Sequence, residues 1–297
     1  MKEFVAAGIQ MAVNLENVEA TIDRAVVLLK EARETCGASL AVYPESITTG
    51  FNPGESAREF YGRLDGIPGK MTWRIQEAAK DIGISVVWPL YEKGEKEGVI
   101  YNSAALFDHR GELAGVYRKT HPFPTERLEA GGWTTPGHET VICELPFAKV
   151  GLIICYDGDF PELSRVLALK GAEVIVRPSA LLRSYEIWEL TNCARAYDNH
   201  VYFVAVNAIG QDRGGAYYFG HSMIVSPIGQ KLALARAGEE IVYARLSADP
   251  LKYVTYGTKS PMLFDHLEDR NLKAYEGIMS KGRSSFEPSR RIPYQNG

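Results

Sequence analysis

Apolar positions along this chain switch repeatedly between two periods. Residues 4–11 alternate like a strand, and 16–35 carry Val18, Ile22, Ala25, Val26 and Leu29 at the spacing of an amphipathic helix. Leu40 to Tyr43 is a buried-strand run that ends at Pro44-Glu45, and a helix near 70–82 leads to a strand from Ile84 to Leu90. Val99 to Phe107, a turn at Asp108-His109-Arg110-Gly111 and Glu112 to Tyr117 read as strand, turn and strand of an antiparallel hairpin. The second half repeats the style. Val150 to Ile154 is a continuous apolar strand, followed by a helix over about 160–170, the strand Val174 to Arg177 and a helix over 185–198. Strands at 201–207, 219–225 and 239–246 follow, with a turn at Pro227-Ile228-Gly229. Fully apolar strands alternating with helices predict an α/β protein whose sheets are covered by helices on at least one face. From about 258 onward the pattern fades into polar, Arg- and Pro-containing sequence, expected to be extended and to pack on a partner subunit.

Composition narrows the class. The 297 residues hold 33 Lys plus Arg against 37 Asp plus Glu, a net charge of −4, and no dense basic stripe, which argues against a nucleic-acid partner. No apolar run approaches the roughly eighteen residues that span a bilayer, so no membrane partner is expected. The opening residues enter a strand pattern directly rather than a signal peptide, and a cytoplasmic location is expected. Cysteines at 36, 143, 155 and 193 match neither a zinc pair nor a disulfide framework.

One of these cysteines has a telling context. In Val150-Gly151-Leu152-Ile153-Ile154-Cys155-Tyr156-Asp157-Gly158-Asp159-Phe160-Pro161-Glu162 a strand ends at a thiol, a Gly-containing turn follows, and a helix starts. Asp159 is placed to cap that helix, with Glu162 completing a capping box and Pro161 in the first turn. Backbone N–H groups beside the thiol would favour a thiolate and bind an oxyanion. Two readings of Cys155 stand at this point, a nucleophile or a small buried hydrophobe. Cys36, Cys143 and Cys193 lie inside helix or strand patterns, where core packing explains them. None of the six histidines sits beside an obvious nucleophile; His109 and His138 read as solvated, His121 and His221 as structural donors. Glu45, at the mouth of a buried strand, suits a general base, and Lys119 in Tyr117-Arg118-Lys119 suits stabilisation of negative charge, although each is equally an ordinary strand-end residue.

Taken together, Pro44-Glu45 with Thr49-Gly50-Phe51, Tyr117-Arg118-Lys119 and Cys155-Tyr156-Asp157-Gly158-Asp159-Phe160-Pro161-Glu162 resemble the nitrilase (carbon–nitrogen hydrolase) superfamily. Tyr101-Asn102-Ser103-Ala104, Arg195-Ala196-Tyr197-Asp198-Asn199 and Phe219-Gly220-His221-Ser222 extend the resemblance over about residues 4–247. Asp198 departs from the family's usual Glu at that position. The resemblance implies a four-layer α-β-β-α sandwich formed by residues 4–247, a C-terminal extension over 248–297 at an oligomer interface, and a homodimer or larger homo-oligomer. It implies a chemistry without metal or cofactor, and the chain carries no Gly-rich phosphate loop, His-Glu-x-x-His or paired cysteines. It further implies a Glu45–Lys119–Cys155 triad and a second glutamate shortly after the lysine, with Glu126 fitting best and Glu129 competing.

The family mechanism assigns attack to Cys155, proton transfer to Glu45 and oxyanion stabilisation to Lys119 with the N–H of Tyr156. Glu126 would orient Lys119 or the substrate. Tyr156-Asp157 replaces the Trp-Glu usual in nitrilases, and Asp157-Gly158-Asp159 stands where carbamoylases place carboxylate-binding arginines. Two aspartates there should repel a carboxylate. The segment is similar to the aliphatic amidase and formamidase branch, as are Val176-Arg177 and Tyr218-Phe219-Gly220-His221-Ser222. A small uncharged or cationic primary amide is therefore the expected substrate, with Phe51, Tyr156, Trp133, Ser179 and Trp188 as candidate binding residues. N-carbamoyl hydrolysis, nitrile hydrolysis and a non-catalytic binding role are the alternatives.

Overall fold

In the computed structural model, residues 1–255 and 260–292 are described. Strand β1 (Phe4–Gln10) is followed by α1 (Val18–Cys36), β2 (Leu40–Val42), α2 (Ala57–Arg63), α3 (Lys70–Ile82), β3 (Ser85–Lys93), β4 (Ile100–Phe107) and β5 (Leu113–Arg118). Then come β6 (Val141–Glu144), β7 (Lys149–Leu152), α4 (Pro161–Leu169), β8 (Val174–Ser179), α5 (Tyr185–Asn199) and β9 (Tyr202–Asn207). The series closes with β10 (Ile209–Gln211), β11 (Tyr217–Phe219), β12 (Met223–Val225), β13 (Lys231–Leu234) and β14 (Glu240–Leu246).

Side-chain parity explains why the strands are apolar throughout. Ala6, Leu40, Val42, Val87, Ala104 and Leu106 share one core with Val150, Leu152, Val174, Val176, Val204 and Ile224 of the second sheet. Their sequence neighbours Ala7, Ile9, Ala41, Tyr43, Val86 and Trp88 pack instead with Ile22, Leu29, Ile75 and Ala79 of α1 and α3. Both faces of each central strand are thus covered, which removes the polar alternation of a half-exposed sheet. The result is the α-β-β-α sandwich.

The sheets run β14-β1-β2-β3-β4-β5 and β13-β12-β9-β8-β7-β6. Each has a parallel centre, β1-β2-β3 in one and β7-β8-β9 in the other, flanked by antiparallel neighbours. The chain leaves β2, β7 and β8 at the carboxyl ends of parallel strands, where open α/β sheets gather their functional groups.

Three local expectations require correction. The strand expected over 219–225 is broken at Gly220 and His221, both with positive φ (72° and 59°), so β11 pairs with β10 in a separate hairpin while β12 joins the sheet. Helix α2 and strands β10 and β13 were not anticipated. The box of Asp159 and Glu162 does not form; α4 starts at Pro161 behind Phe160, with no side-chain cap. Asp159 bonds two guanidinium groups instead, and charge-assisted bonds are stronger than one to a neutral backbone N–H. Of the expected tail, 260–292 is mostly turns and irregular chain with one 3-10 turn at Leu272–Tyr275, and 256–259 and 293–297 lie outside the described residues.

Candidate active site

Glu45, Lys119 with Glu126, and Cys155 arrive from three segments, the exits of β2, β5 and β7, and meet in a buried cluster. Glu45 follows β2, and its backbone N–H donates to the Ser179 carbonyl at the end of β8 (3.4 Å). Lys119 follows β5, its N–H donating to the Asn102 carbonyl (2.8 Å) and its carbonyl accepting from Gly137 (2.9 Å). The Lys119 side chain is fully buried and its ammonium donates to Glu45 Oε1 (2.8 Å) and to Glu126 Oε1. Glu126 also accepts from the Phe123 N–H (2.7 Å) and Thr134 Oγ1 (2.9 Å). Glu129 lies exposed in the 3-10 turn Leu128–Ala130, so the structure brings Glu126 and not Glu129 to the lysine.

Cys155 opens a 3-10 turn over Cys155–Asp159 with a φ of +45°, a conformation uncommon outside glycine and costly unless its surroundings enforce it. Two anchors enforce it. Arg177, fully buried on β8, donates Nε–H to the Cys155 carbonyl (2.7 Å) and spends its other nitrogens on Thr191, Asn192 and Asp159, with Trp188 beneath the guanidinium at 5.1 Å. Asp157, also buried, accepts from the Ile154 N–H (2.9 Å), Tyr117 Oη (2.7 Å), Thr120 Oγ1 (3.1 Å) and the His121 N–H (3.0 Å), and its Oδ1 lies 2.8 Å from His121 Nδ1. It ties the lysine segment to the cysteine turn.

Electrostatics distinguish the groups. Burial alone would lower the Lys119 ammonium, but Glu126 and then Glu45 outweigh it, and the group is held above its ordinary range. Burial first, and then the Glu45 carboxylate, push the Cys155 thiol up to about 12, against a smaller pull from Lys119 and Arg177. The expected thiolate is therefore not the resting form; a neutral thiol stands beside a fixed cation and two carboxylates. Lys119, always protonated, can stabilise charge but cannot remove a proton. A carboxylate must do that. The N–H of Ala180, after β8, donates to Glu45 Oε2 (2.8 Å) and also faces the Cys155 sulfur.

Cys155 lines a narrow cleft, whose free volume of about 10 Å³ is no more than a single water needs, with Phe51, Phe123, Ala180, Leu181, Leu182 and Arg183. Of the five candidate binding residues, only Phe51 is in that lining, its ring 5.4 Å from the Lys119 nitrogen. Tyr156 stands beside it, edge-on to Phe123 (5.3 Å) and under Arg183 (5.5 Å). Trp133 packs behind Phe51 against Phe60 and Tyr91. Ser179 and Trp188 are fully buried, Ser179 Oγ donating to the Arg177 carbonyl (3.3 Å) and Trp188 Nε1 to that of His221 (2.7 Å).

Asn102, Arg177 and Arg183 complete the surroundings without having been singled out for chemistry. Asn102 and Arg177 had a signal, each being polar at an inward position of an apolar strand. Arg183, on a loop, had none. Nor do the two aspartates present repelling charge to the cleft, because Asp157 is saturated by donors and Asp159 is paired with Arg177 and Arg183. Among the described residues, no group of three or more His, Cys, Asp or Glu is placed to hold a metal ion, and no helix is long and apolar enough to cross a membrane.

A carbon–nitrogen hydrolase family profile matches residues 5–253. The chain belongs to the carbon–nitrogen hydrolases of the nitrilase superfamily. It is 32% identical over 258 residues to "Omega-amidase NIT2" of Xenopus tropicalis, covering 84% of this chain and 91% of that protein. It is 37% identical over 239 residues to a protein named "Nitrilase" from Pyrococcus abyssi, covering 80% and 86%. The crystal structure of Saccharomyces cerevisiae Nit3 superposes with a TM-score of 0.76 at 27% identity over 84% of this chain and 92% of that one. This carbon–nitrogen hydrolase is thus an enzyme acting on C–N bonds.

Proposed function

We propose that this carbon–nitrogen hydrolase cleaves a small primary amide to a carboxylic acid and ammonia through a thioester on Cys155. The observation that carries the reading is that Glu45 is held between the Lys119 ammonium at Oε1 (2.8 Å) and the N–H of Ala180 at Oε2 (2.8 Å), Ala180 lining the same cleft as Cys155. Glu45 takes the thiol proton as sulfur attacks the carbonyl carbon. Negative charge developing on the carbonyl oxygen is met by the buried Lys119 ammonium and by the Tyr156 N–H at the start of the cysteine turn. The C–N bond breaks as Glu45 passes its proton to nitrogen, ammonia leaves, and a thioester remains. Water then attacks the thioester while giving a proton to Glu45, and that proton returns to sulfur as the acid departs. The narrowness of the cleft favours a short substrate over a bulky one.

Arg183, 27% exposed and lining the cleft, is held by Asp159, and sharing this guanidinium with an anionic far end would refine the uncharged or cationic amide expected from sequence. The name omega-amidase borne by the Xenopus tropicalis relative agrees with that refinement.

The test is ammonia release from short neutral amides, amides ending in a carboxylate, N-carbamoyl amines and nitriles, with Cys155→Ala as control. Amide turnover absent from the control is expected, and Arg183→Met should cost the carboxylate-bearing amides more than the neutral ones. Turnover confined to carbamoyl compounds or nitriles would overturn the amide reading.

A further inference from the structure

Asn102 lies on β4 with the parity of Ala104 and Leu106, facing the second sheet, and is fully buried. Its amide nitrogen donates to Glu45 Oε1 (2.7 Å) and to Glu126 Oε2 (3.3 Å), so one neutral side chain bridges the two carboxylates that also share Lys119. Its amide oxygen has no hydrogen-bond partner among the described residues. The orientation is dictated nonetheless, since an oxygen turned toward two carboxylates would be repelled. A buried acceptor left unpaired is a cost to the fold, which a purely structural residue in that layer would not need to carry.

The donors divide unequally over Glu45. Oε1 receives both the Lys119 ammonium and the Asn102 amide, whereas among the described residues Oε2 receives only the N–H of Ala180, which lines the cleft with Cys155. We infer that Asn102 is a positioning residue that, with Lys119, occupies Glu45 Oε1 so that Oε2 is the oxygen that exchanges protons with the Cys155 thiol, the leaving nitrogen and water. The proton passes from Sγ to Oε2 and back, and Oε1 stays bonded to its two donors throughout. Without Asn102, Oε1 loses a donor and the proton is no longer directed to Oε2. The inference rests on Glu45 being the base of the proposed hydrolysis.

The test uses the full chain carrying Asn102→Leu, similar in volume and unable to donate. Two quantities are followed against pH, the rate of Cys155 alkylation by iodoacetamide, mapped by mass spectrometry, and kcat and KM for the best amide. The acidic limb of both profiles should move up by about one pH unit as a donor to the carboxylate is lost. The kcat should fall about 100-fold with KM within about threefold, the scale of a misplaced general base. Asn102→Ser, which can keep a donor or admit water, should recover part of both. A limb that stays in place, with activity falling only as the folded fraction falls, would overturn the inference, as would failure of both variants to fold. If the wild-type enzyme alkylates with the expected limb but hydrolyses no amide, the amide reading fails while the role of Asn102 stands.

Discussion

A thiol pushed up to about 12 must give up its proton as it attacks, and on the proposed reading Glu45 is the group that takes it. Glu45→Gln keeps a group of the same shape and keeps an oxygen for Lys119, but removes the base. Activity on the best amide should fall by about 10²–10⁴-fold, while the thermal midpoint changes by only a few degrees. Near-normal kcat in a folded Glu45→Gln enzyme would refute the assignment. Cys155→Ser should lose turnover with the fold intact. Cys143 shows what burial does without chemistry. It is held at about 12 by desolvation alone, on β6 facing β5, where a methyl on Gly115 would stand 2.7 Å from its sulfur. Its folded value lies above the ordinary 9.0, so the stability it contributes is complete below pH 9 and is lost as pH rises towards 12. In urea titrations, the stability difference between wild type and Cys143→Ala should therefore narrow by about 1.4 kcal/mol per pH unit above pH 9. A constant difference would mean that the thiol ionises in the folded protein as readily as in water.

At the scale of elements, the turn over Cys155–Asp159 is where sequence reading succeeded and failed together. That a strand delivers a cysteine to a turn before a helix was legible, because an apolar run, a Gly-Asp pair and a Pro follow one another with fixed local meanings. What the aspartates do was not legible, because their partners Tyr117, His121, Arg177 and Arg183 come from other segments. The same reason hid the break at Gly220-His221 inside an apparently continuous strand, and helix α2, whose few residues bury only Phe60 fully. Glu45, Lys119 and Glu126 were found through family resemblance; their spacing alone left each indistinguishable from a surface residue. Gly158 exposes the constraint on the turn. A Cβ there would lie 2.2 Å from the Arg177 Cζ and Nε, and Arg177 cannot yield while held by Thr191, Asn192 and Asp159. Gly158→Ala should cost about 3 kcal/mol, from overpacking and a disturbed buried ion pair. It should lower kcat more than KM, since Arg177 holds the Cys155 carbonyl. Wild-type stability and kcat would show that the turn relaxes without moving Arg177.

For the whole molecule, the two sheets and their helices account for the buried core but leave apolar side chains exposed, several of them on α4, α5 and the C-terminal stretch. Leu190 on α5 is 68% exposed, Leu169 on α4 is also open, and Leu263, Met279 and Phe286 of the C-terminal stretch stand almost free of contact. That stretch is seated beside α4 and α5, with Arg165 donating to the His266 carbonyl (3.1 Å) and His266 stacked on His200 at 4.3 Å. The exposed apolar residues of α4, α5 and the C-terminal stretch mark the face on which a second copy of the chain is expected. A second copy of the chain, meeting this face with its own, would bury α5 against α5 or against the C-terminal stretch, as a two-fold interface requires. Sedimentation velocity of the wild-type protein should then give a species of at least twice the 32.9 kDa chain mass. Leu190→Asp, which buries an unpaired charge if that face is covered and costs nothing if it is not, should shift it towards the monomer with its circular dichroism unchanged. A wild-type protein that sediments as a monomer at micromolar concentration would remove the interface and leave the C-terminal stretch as a cover for α4 and α5 alone. An oligomer that Leu190→Asp leaves intact would place the contact on another surface.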